Sequence, residues 1–144
     1  FPDIQHLLAG LRRLGLADIV TEVLDMDRFL PAPGQGAICI DCRADDATAR
    51  HMLDAIADRQ TEAALICERA FLAALDGDCK TPIAAHATVE NDGIFMIGMI
   101  LTPDGKSWHR IQGRGTVSEA AALGQWLGGD IRAKAGPEFF ESWA

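Results

Sequence analysis

The sequence lacks three features that would point to a membrane or a nucleic acid. No apolar run approaches the ~20 residues that a membrane-spanning helix needs, although apolar residues make up 49% of the 144. The first residues lack the basic stretch followed by an apolar stretch that is typical of a signal peptide, so no signal peptide is expected. Lysine and arginine number only 13 and the net charge is −8, whereas nucleic-acid modules usually carry a basic face. We therefore expect a cytoplasmic globular protein with neither a membrane nor a nucleic-acid partner.

Closely spaced pairs of metal ligands are also scarce. The four cysteines are Cys39, Cys42, Cys67 and Cys79, and only the first two are near each other. Structural zinc sites normally use two such pairs, so the spacing disfavours a zinc site. The four histidines fall on separate predicted elements. Without a secretory signal, reduced thiols are the default, and Cys39, Cys42 and Cys67 are expected to be structural.

From residue 43 onward the sequence predicts a compact α+β unit. Hairpin signals at residues 91–93 and 103–105 separate three segments and predict a three-stranded antiparallel meander. Helical spacing and candidate caps predict helices on one face of this sheet. The expected strands are about Ala84–Val89, Ile94–Leu101 and Trp108–Gly113. The expected helices run from Asp45 or Asp46 to about Ala57, from Thr61 through Leu75 with Gly77 as its stop, from Ser118 to about Ala135, and over Phe139–Trp143.

Residues 1–42 do not supply a core of their own. They contain one predicted helix that ends at Gly15, an extended stretch over residues 19–24, and a predicted strand over residues 37–43. The Pro- and Gly-rich residues 31–36 exclude regular structure. They indicate a rigid crossover, with a loop that binds a ligand or another domain as the alternative. Because a strand needs neighbours for its backbone groups, residues 1–42 are interpreted as a remnant of a larger fold, and residues 43–144 as a separate domain.

Cys79 is the thiol most open to chemistry. It follows the predicted helix stop and precedes Pro82, so it falls in a loop. Lys80 beside it favours the thiolate, which is the nucleophilic form, whereas Asp78 opposes it. On these grounds alone, an inert loop cysteine remains an alternative. Glu68 and Arg69, on the preceding helix, are expected to be more exposed than their apolar neighbours.

Four segments resemble conserved stretches of the porphobilinogen deaminase (hydroxymethylbilane synthase) family, in the same order and at the same spacing. They read AGLRRLG, FLPAPGQGAI, CERAFL and LDGDCKTPI, and begin at residues 9, 29, 67 and 75. The resemblance implies that the family's first two domains are α/β units. Residues 1–18 would end the second of them, and residues 19–42 would cross back into the first, so that both are a remnant of the α/β domains. Residues 43–144 would then be the third domain, in agreement with the α+β unit expected above.

The resemblance also implies a function. The family joins four porphobilinogen molecules into hydroxymethylbilane, releasing ammonia, and primes the chain with a covalent dipyrromethane cofactor, one per polypeptide. Cys79 matches the cysteine that carries this cofactor through a thioether. The parent enzyme would be a cytoplasmic monomeric transferase, whereas the family's catalytic aspartate and most substrate-binding arginines have no counterpart here. The segment alone is therefore expected to be inactive, with no catalytic residue of its own. A non-enzymatic binding module that retains only the fold is the alternative.

Overall fold

The computed structural model describes residues 11–26, 28–78 and 80–143. Residues 11–13 are helical, and a 3-10 turn follows at Ala17–Ile19. None of the helices among the described residues is long and apolar enough to cross a bilayer. The remaining elements are helix α1 (Ala47–Asp54), helix α2 (Arg59–Ala74), strands β1 (Ile83–Glu90), β2 (Gly93–Leu101) and β3 (Trp108–Thr116), a 3-10 turn (Val117–Glu119), helix α3 (Ala120–Ala135) and helix α4 (Pro137–Glu141).

The three strands form one antiparallel sheet in the order β1-β2-β3. Asn91, with φ +56°, makes the tight turn between β1 and β2, and asparagine is among the few residues that tolerate this conformation. Gly105, with φ +70°, does the same between β2 and β3. The meander and both turns confirm the sequence-based prediction.

Helices α2 and α3 cover one face of the sheet and pack against each other. Phe71 of α2 is fully buried, and its ring lies directly over Gly98 in the central strand. A side chain at Gly98 would collide with this ring. The small residues Gly124 and Gly128 of α3 let that helix approach the backbone of α2 near Cys67 and Phe71. The core therefore depends on close helix–helix and helix–sheet contacts, which leave no space for larger residues.

The helix starts differ from the prediction by a few residues. Asp46 caps α1 as expected, accepting a hydrogen bond from the Ala49 amide at 2.9 Å. Helix α2 is capped by Asp58, which accepts from the Thr61 amide at 2.8 Å, so Thr61 is not its cap. Thr116 and Glu119 form a reciprocal capping box, and Ser118 is not the cap of the last long helix. In both cases an earlier polar residue satisfies the first-turn amides.

The predictions for the first 43 residues hold only in part. Ile19 lies in a 3-10 turn rather than in an extended stretch, whereas Val20, which follows it, has an extended backbone. Residues 20–24 belong to no helix or strand. Residues 37–43 also lack strand structure, despite their apolar, β-branched character. Such a pattern becomes a strand only where a neighbouring strand accepts its backbone hydrogen bonds, and the described residues offer none there. Gly15, with φ +69°, ends the first helical segment as predicted.

Candidate cofactor loop and its supporting contacts

The cysteine loop, residues 75–82, begins where helix α2 ends. Asp76 has φ +53°, its amide bonds the Ala73 carbonyl, and the Gly77 amide bonds the Leu72 carbonyl. These two hydrogen bonds form a Schellman motif at the end of the helix, in which Asp76 rather than Gly77 has the left-handed backbone conformation. Arg132 of α3 fixes the same corner: its guanidinium donates to Asp76 Oδ2 at 2.7 Å and to the Ala74 carbonyl at 3.2 Å.

The surroundings of Gly77 leave little space for a side chain, whereas its backbone conformation does not demand glycine. A Cβ at this position would lie 2.5 Å from Ile83 Cδ1 and 2.6 Å from Leu72 Cδ1. Ile83 is buried and begins β1, so the loop entrance is pressed against the strand that leaves it. The glycine therefore brings the two ends of the cysteine loop together.

We expect Gly77→Ala to lower the free energy of unfolding by about 1–3 kcal/mol, because the added methyl overpacks the contact with Ile83. Gly129→Ala in α3 is the matched control. Its Cβ meets nothing within 4 Å, so this helix substitution should be neutral or stabilising by up to about 1 kcal/mol. Urea unfolding of both variants tests the expectation. Equal stability of the two would show that residue 77 has room for a side chain.

The next residues of the loop form a compact polar turn. Asp78 Oδ1 accepts from the Lys80 amide at 2.8 Å and from the Thr81 amide at 3.1 Å, while Thr81 Oγ1 accepts from the Asp78 amide at 2.6 Å. The hydrogen bond from the Lys80 amide holds the pKa of the Asp78 carboxyl below its usual range. Partial desolvation opposes this effect, and the hydrogen bonds from Thr81 and the charge of Lys80 add to it. The φ of Asp78 is not positive, so the backbone at this position does not favour glycine. Cys79 itself lies outside the described residues.

The crossover loop, residues 31–36, docks on the open edge of β1. The Pro31 carbonyl accepts from the Ala85 amide at 2.9 Å. Buried Glu68 of α2 accepts from the Gly34 amide through Oε2 and from the Ala87 amide through Oε1, each at 2.7 Å. One carboxylate thus joins the crossover, a helix and the edge strand that follows the cysteine loop. Covering an edge in this way also prevents its pairing with another chain.

The buried position of Glu68 contradicts the expected exposure. Glu68 is only 5% exposed, and His86 Nδ1 lies 3.6 Å from its Oε1. The sequence held no signal that separates Glu68 from Arg69, because the residues three and four positions away on each side are apolar for both. These neighbours are Ala64, Leu65, Phe71 and Leu72 for Glu68, and Leu65, Ile66, Leu72 and Ala73 for Arg69. Arg69 is exposed as expected.

The other three cysteines differ in burial. Cys67 is fully buried, with Sγ 3.3 Å from Met96 Sδ, and burial, with a smaller effect of Glu68, raises the pKa of its thiol to about 12. It therefore remains protonated and packs as a small apolar residue, as predicted. Cys42 is half-buried, whereas Cys39 is exposed rather than packed. Within the described ranges, no group of three or more Cys, His, Asp or Glu side chains could hold a metal ion.

Comparison with known proteins identifies the family. Residues 63–133 match the model described as porphobilinogen deaminase, C-terminal domain. Residues 7–51 match a second model of the same family, described as the dipyromethane cofactor binding domain. The chain belongs to the porphobilinogen deaminase family. It is 47% identical over 137 residues to the porphobilinogen deaminase of Nitrobacter winogradskyi, an alignment that covers 95% of this chain.

The matches also delimit what this chain contains. It spans 43% of the length of the Nitrobacter winogradskyi protein, and the α+β sheet unit agrees with the family's C-terminal domain. The cofactor named for the family is dipyrromethane. The model that names this cofactor covers residues 7–51, whereas Cys79 falls within the match to the C-terminal domain.

Proposed function

We propose that this chain is the cofactor-anchoring part of a porphobilinogen deaminase, a transferase of tetrapyrrole biosynthesis. The whole enzyme joins four porphobilinogen units head to tail into hydroxymethylbilane, with loss of ammonia. One observation carries the assignment of the site. The residues on both sides of Cys79 are held by the Asp78–Thr81 turn and by the crowded Gly77 corner, within a segment of the chain that matches the family's C-terminal domain.

Cys79 acts as an anchor, holding the dipyrromethane through a thioether. A carbon–sulfur bond of this kind survives repeated turnover and keeps the growing product tethered to the protein. The thiolate is the form that makes such a bond, and the exposed ammonium of neighbouring Lys80 favours it. The negative charge of Asp78 opposes the thiolate less than it otherwise would, because that carboxylate accepts bonds from the Lys80 and Thr81 amides.

The residues of the loop fit the cofactor. The group available for attachment is the single thiol of Cys79, which is next to the cation of Lys80 in a turn whose backbone is constrained on either side. When bound, the dipyrromethane supplies the free α-position of its terminal pyrrole as the nucleophile for chain growth. The protein's own contribution in this region is to hold that group in place, since a covalent anchor on a constrained loop limits its freedom to move.

Neither aspartate beside Cys79 is proposed to transfer protons. The Asp76 carboxylate accepts a hydrogen bond from Arg132 at 2.7 Å, and the Asp78 carboxylate accepts hydrogen bonds from two backbone amides. Both carboxylates therefore have structural partners. The family's proton-handling aspartate and the cationic groups that hold acetate and propionate side chains belong to the part of its fold outside this segment. The 144-residue segment alone is therefore proposed to be inactive.

A turnover assay tests the proposal. The full-length protein is expected to consume porphobilinogen and form hydroxymethylbilane, while the 144-residue segment forms none. Absence of product from the folded, cofactor-loaded full-length protein would contradict the proposed activity and favour a binding module that retains only the fold. Measurable turnover by the segment alone would contradict its assignment as an anchoring part.

A further inference from the structure

The cysteine loop is tied to helix α3 as well as to the helix that precedes it. Arg132, in the last turn of α3, donates from Nη1 to Asp76 Oδ2 at 2.7 Å and to the Ala74 carbonyl at 3.2 Å. These partners lie 56 and 58 residues away along the chain. Because Asp76 is three residues before Cys79, both bonds act at the entrance of the loop that carries the proposed anchor.

The bond to the Ala74 carbonyl completes the end of helix α2. The last carbonyl groups of a helix have no amide partner within the helix itself. The two carbonyls before Ala74 accept from amides at the start of the cysteine loop, whereas the Ala74 carbonyl accepts from Arg132. One side chain of α3 therefore supplies a donor that the Schellman motif does not provide.

The residue at the left-handed position of this helix end carries a side chain. Asp76 has φ +53°, a conformation that glycine adopts at less cost than other residues and that helix ends usually assign to glycine. The Asp76 carboxylate is the group to which Arg132 donates. The aspartate therefore gives the loop a contact with α3 that glycine would lack.

The pair of Arg132 and Asp76 is suited to orientation rather than to stability. The two side chains are 45% and 79% exposed, and ion pairs between exposed groups contribute little because water and salt screen them. The Arg132 guanidinium lies 5.4 Å from the Phe140 ring centroid, a cation–π contact that limits where the guanidinium can go. The pair is therefore weak in energy but defined in direction.

We propose that Arg132 is a positioning residue for the cofactor anchor and acts on Cys79 through Asp76. The inference rests on the proposed function, since Arg132 has this role only if Cys79 carries the dipyrromethane. The bonds of Arg132 fix the entrance of the loop, and the Asp78–Thr81 turn fixes its exit. With both ends fixed, the sulfur occupies a defined place relative to the sheet unit, which favours each bond-forming step that needs a set geometry.

The rate of cofactor attachment measures this role before any turnover. The Cys79 sulfur bonds the aminomethyl carbon of one porphobilinogen, and the free α-carbon of that ring bonds the aminomethyl carbon of a second. Each step releases ammonia, which takes up the thiol proton in the first step and the α-proton in the second, so no oxidant or reductant is needed. Full-length protein made without porphobilinogen is mixed with porphobilinogen, and its intact mass is followed over time. We expect Arg132→Met to gain the dipyrromethane mass about tenfold more slowly than the unaltered protein.

Three further variants separate positioning from stability and charge. Lys134→Met is the matched control: it removes another cation from the same helical turn, one that bonds Asp130 of its own helix, and it should attach the cofactor at the unaltered rate. Asp76→Gly relaxes the left-handed backbone, so its unfolding midpoint in urea should be unchanged or higher, while attachment slows as in Arg132→Met. Arg132→Lys keeps a charged donor and should recover part of the rate.

The outcomes distinguish this inference from the proposed function. Once loaded, Arg132→Met and Asp76→Gly should have a lower kcat with an unchanged KM for porphobilinogen, because the proposed substrate-binding groups lie outside this segment. Attachment at the unaltered rate in Asp76→Gly would overturn the role of Arg132, even if Arg132→Met does not fold. Equal slowing in Lys134→Met would also overturn it, by assigning the effect to general charge. If the unaltered protein gains no mass, the proposed function itself is contradicted.

Discussion

Replacing Glu68 with alanine is expected to lower the free energy of unfolding by about 3 kcal/mol, because two amides lose their buried acceptor. Glu68 accepts from Gly34 and Ala87 at 2.7 Å each and lies 3.6 Å from His86. Glu68→Gln keeps one acceptor oxygen but turns an NH2 group toward the other amide, so we expect an intermediate loss. Urea unfolding, followed by circular dichroism, measures both.

The matched control is Glu62→Ala on the same helix. Glu62 is exposed and bonds the Arg59 guanidinium, an arrangement that usually contributes less than about 1 kcal/mol. Hydrogen exchange adds a local readout, since the Gly34 and Ala87 amides should lose protection in Glu68→Ala and keep it in Glu62→Ala. If the two variants are equally stable, Glu68 does not hold the crossover loop to the sheet.

Replacing Cys79 with serine in the full-length protein is expected to remove the covalent dipyrromethane and with it the turnover of porphobilinogen. A serine hydroxyl is far less nucleophilic than a thiolate at neutral pH, so it does not form the anchoring bond. Stability should change by no more than about 0.5 kcal/mol, as for most surface loop substitutions. Intact mass and activity are measured on the same preparation.

The other cysteines provide controls for this loss. Cys39→Ser alters an exposed side chain and should retain both the cofactor and activity. Cys67→Ala empties part of the core beside Met96, so it should cost stability but keep the cofactor; alanine is preferred to serine because a buried hydroxyl would need a partner. A folded Cys67→Ala or Cys39→Ser protein without cofactor would contradict the assignment to Cys79.

The sheet unit could be predicted from sequence because its signals are local. The continuous apolar run of β2 and the turns at Asn91 and Gly105 act within a few residues, and both turns occur as expected. Helix caps were predicted less well, since several polar residues compete for the same first-turn amides. Asp58 and Thr116 occupy these positions in place of Thr61 and Ser118.

What could not be predicted depends on distant partners. The bond from Gly34 to Glu68 joins residues 34 positions apart, and no local pattern specifies it. Residues 37–43 have a strand-like composition, but strand structure needs a neighbour that the described chain does not provide. At the candidate site, the sequence indicated the loop and its glycine. The close contact between Gly77 and Ile83 and the hydrogen bond from Arg132 to Asp76 follow only from the packed structure.

A tryptic map of the full-length protein tests the central claim most directly. Cleavage after arginine and lysine separates the cysteines into three peptides: Cys79 in Ala70–Lys80, Cys67 in Gln60–Arg69, and Cys39 with Cys42 in Phe29–Arg43. We expect the added mass of a dipyrromethane on Ala70–Lys80 and unmodified masses for the other two. The same added mass on either of the other peptides, or on none of the three in an active enzyme, would contradict the account.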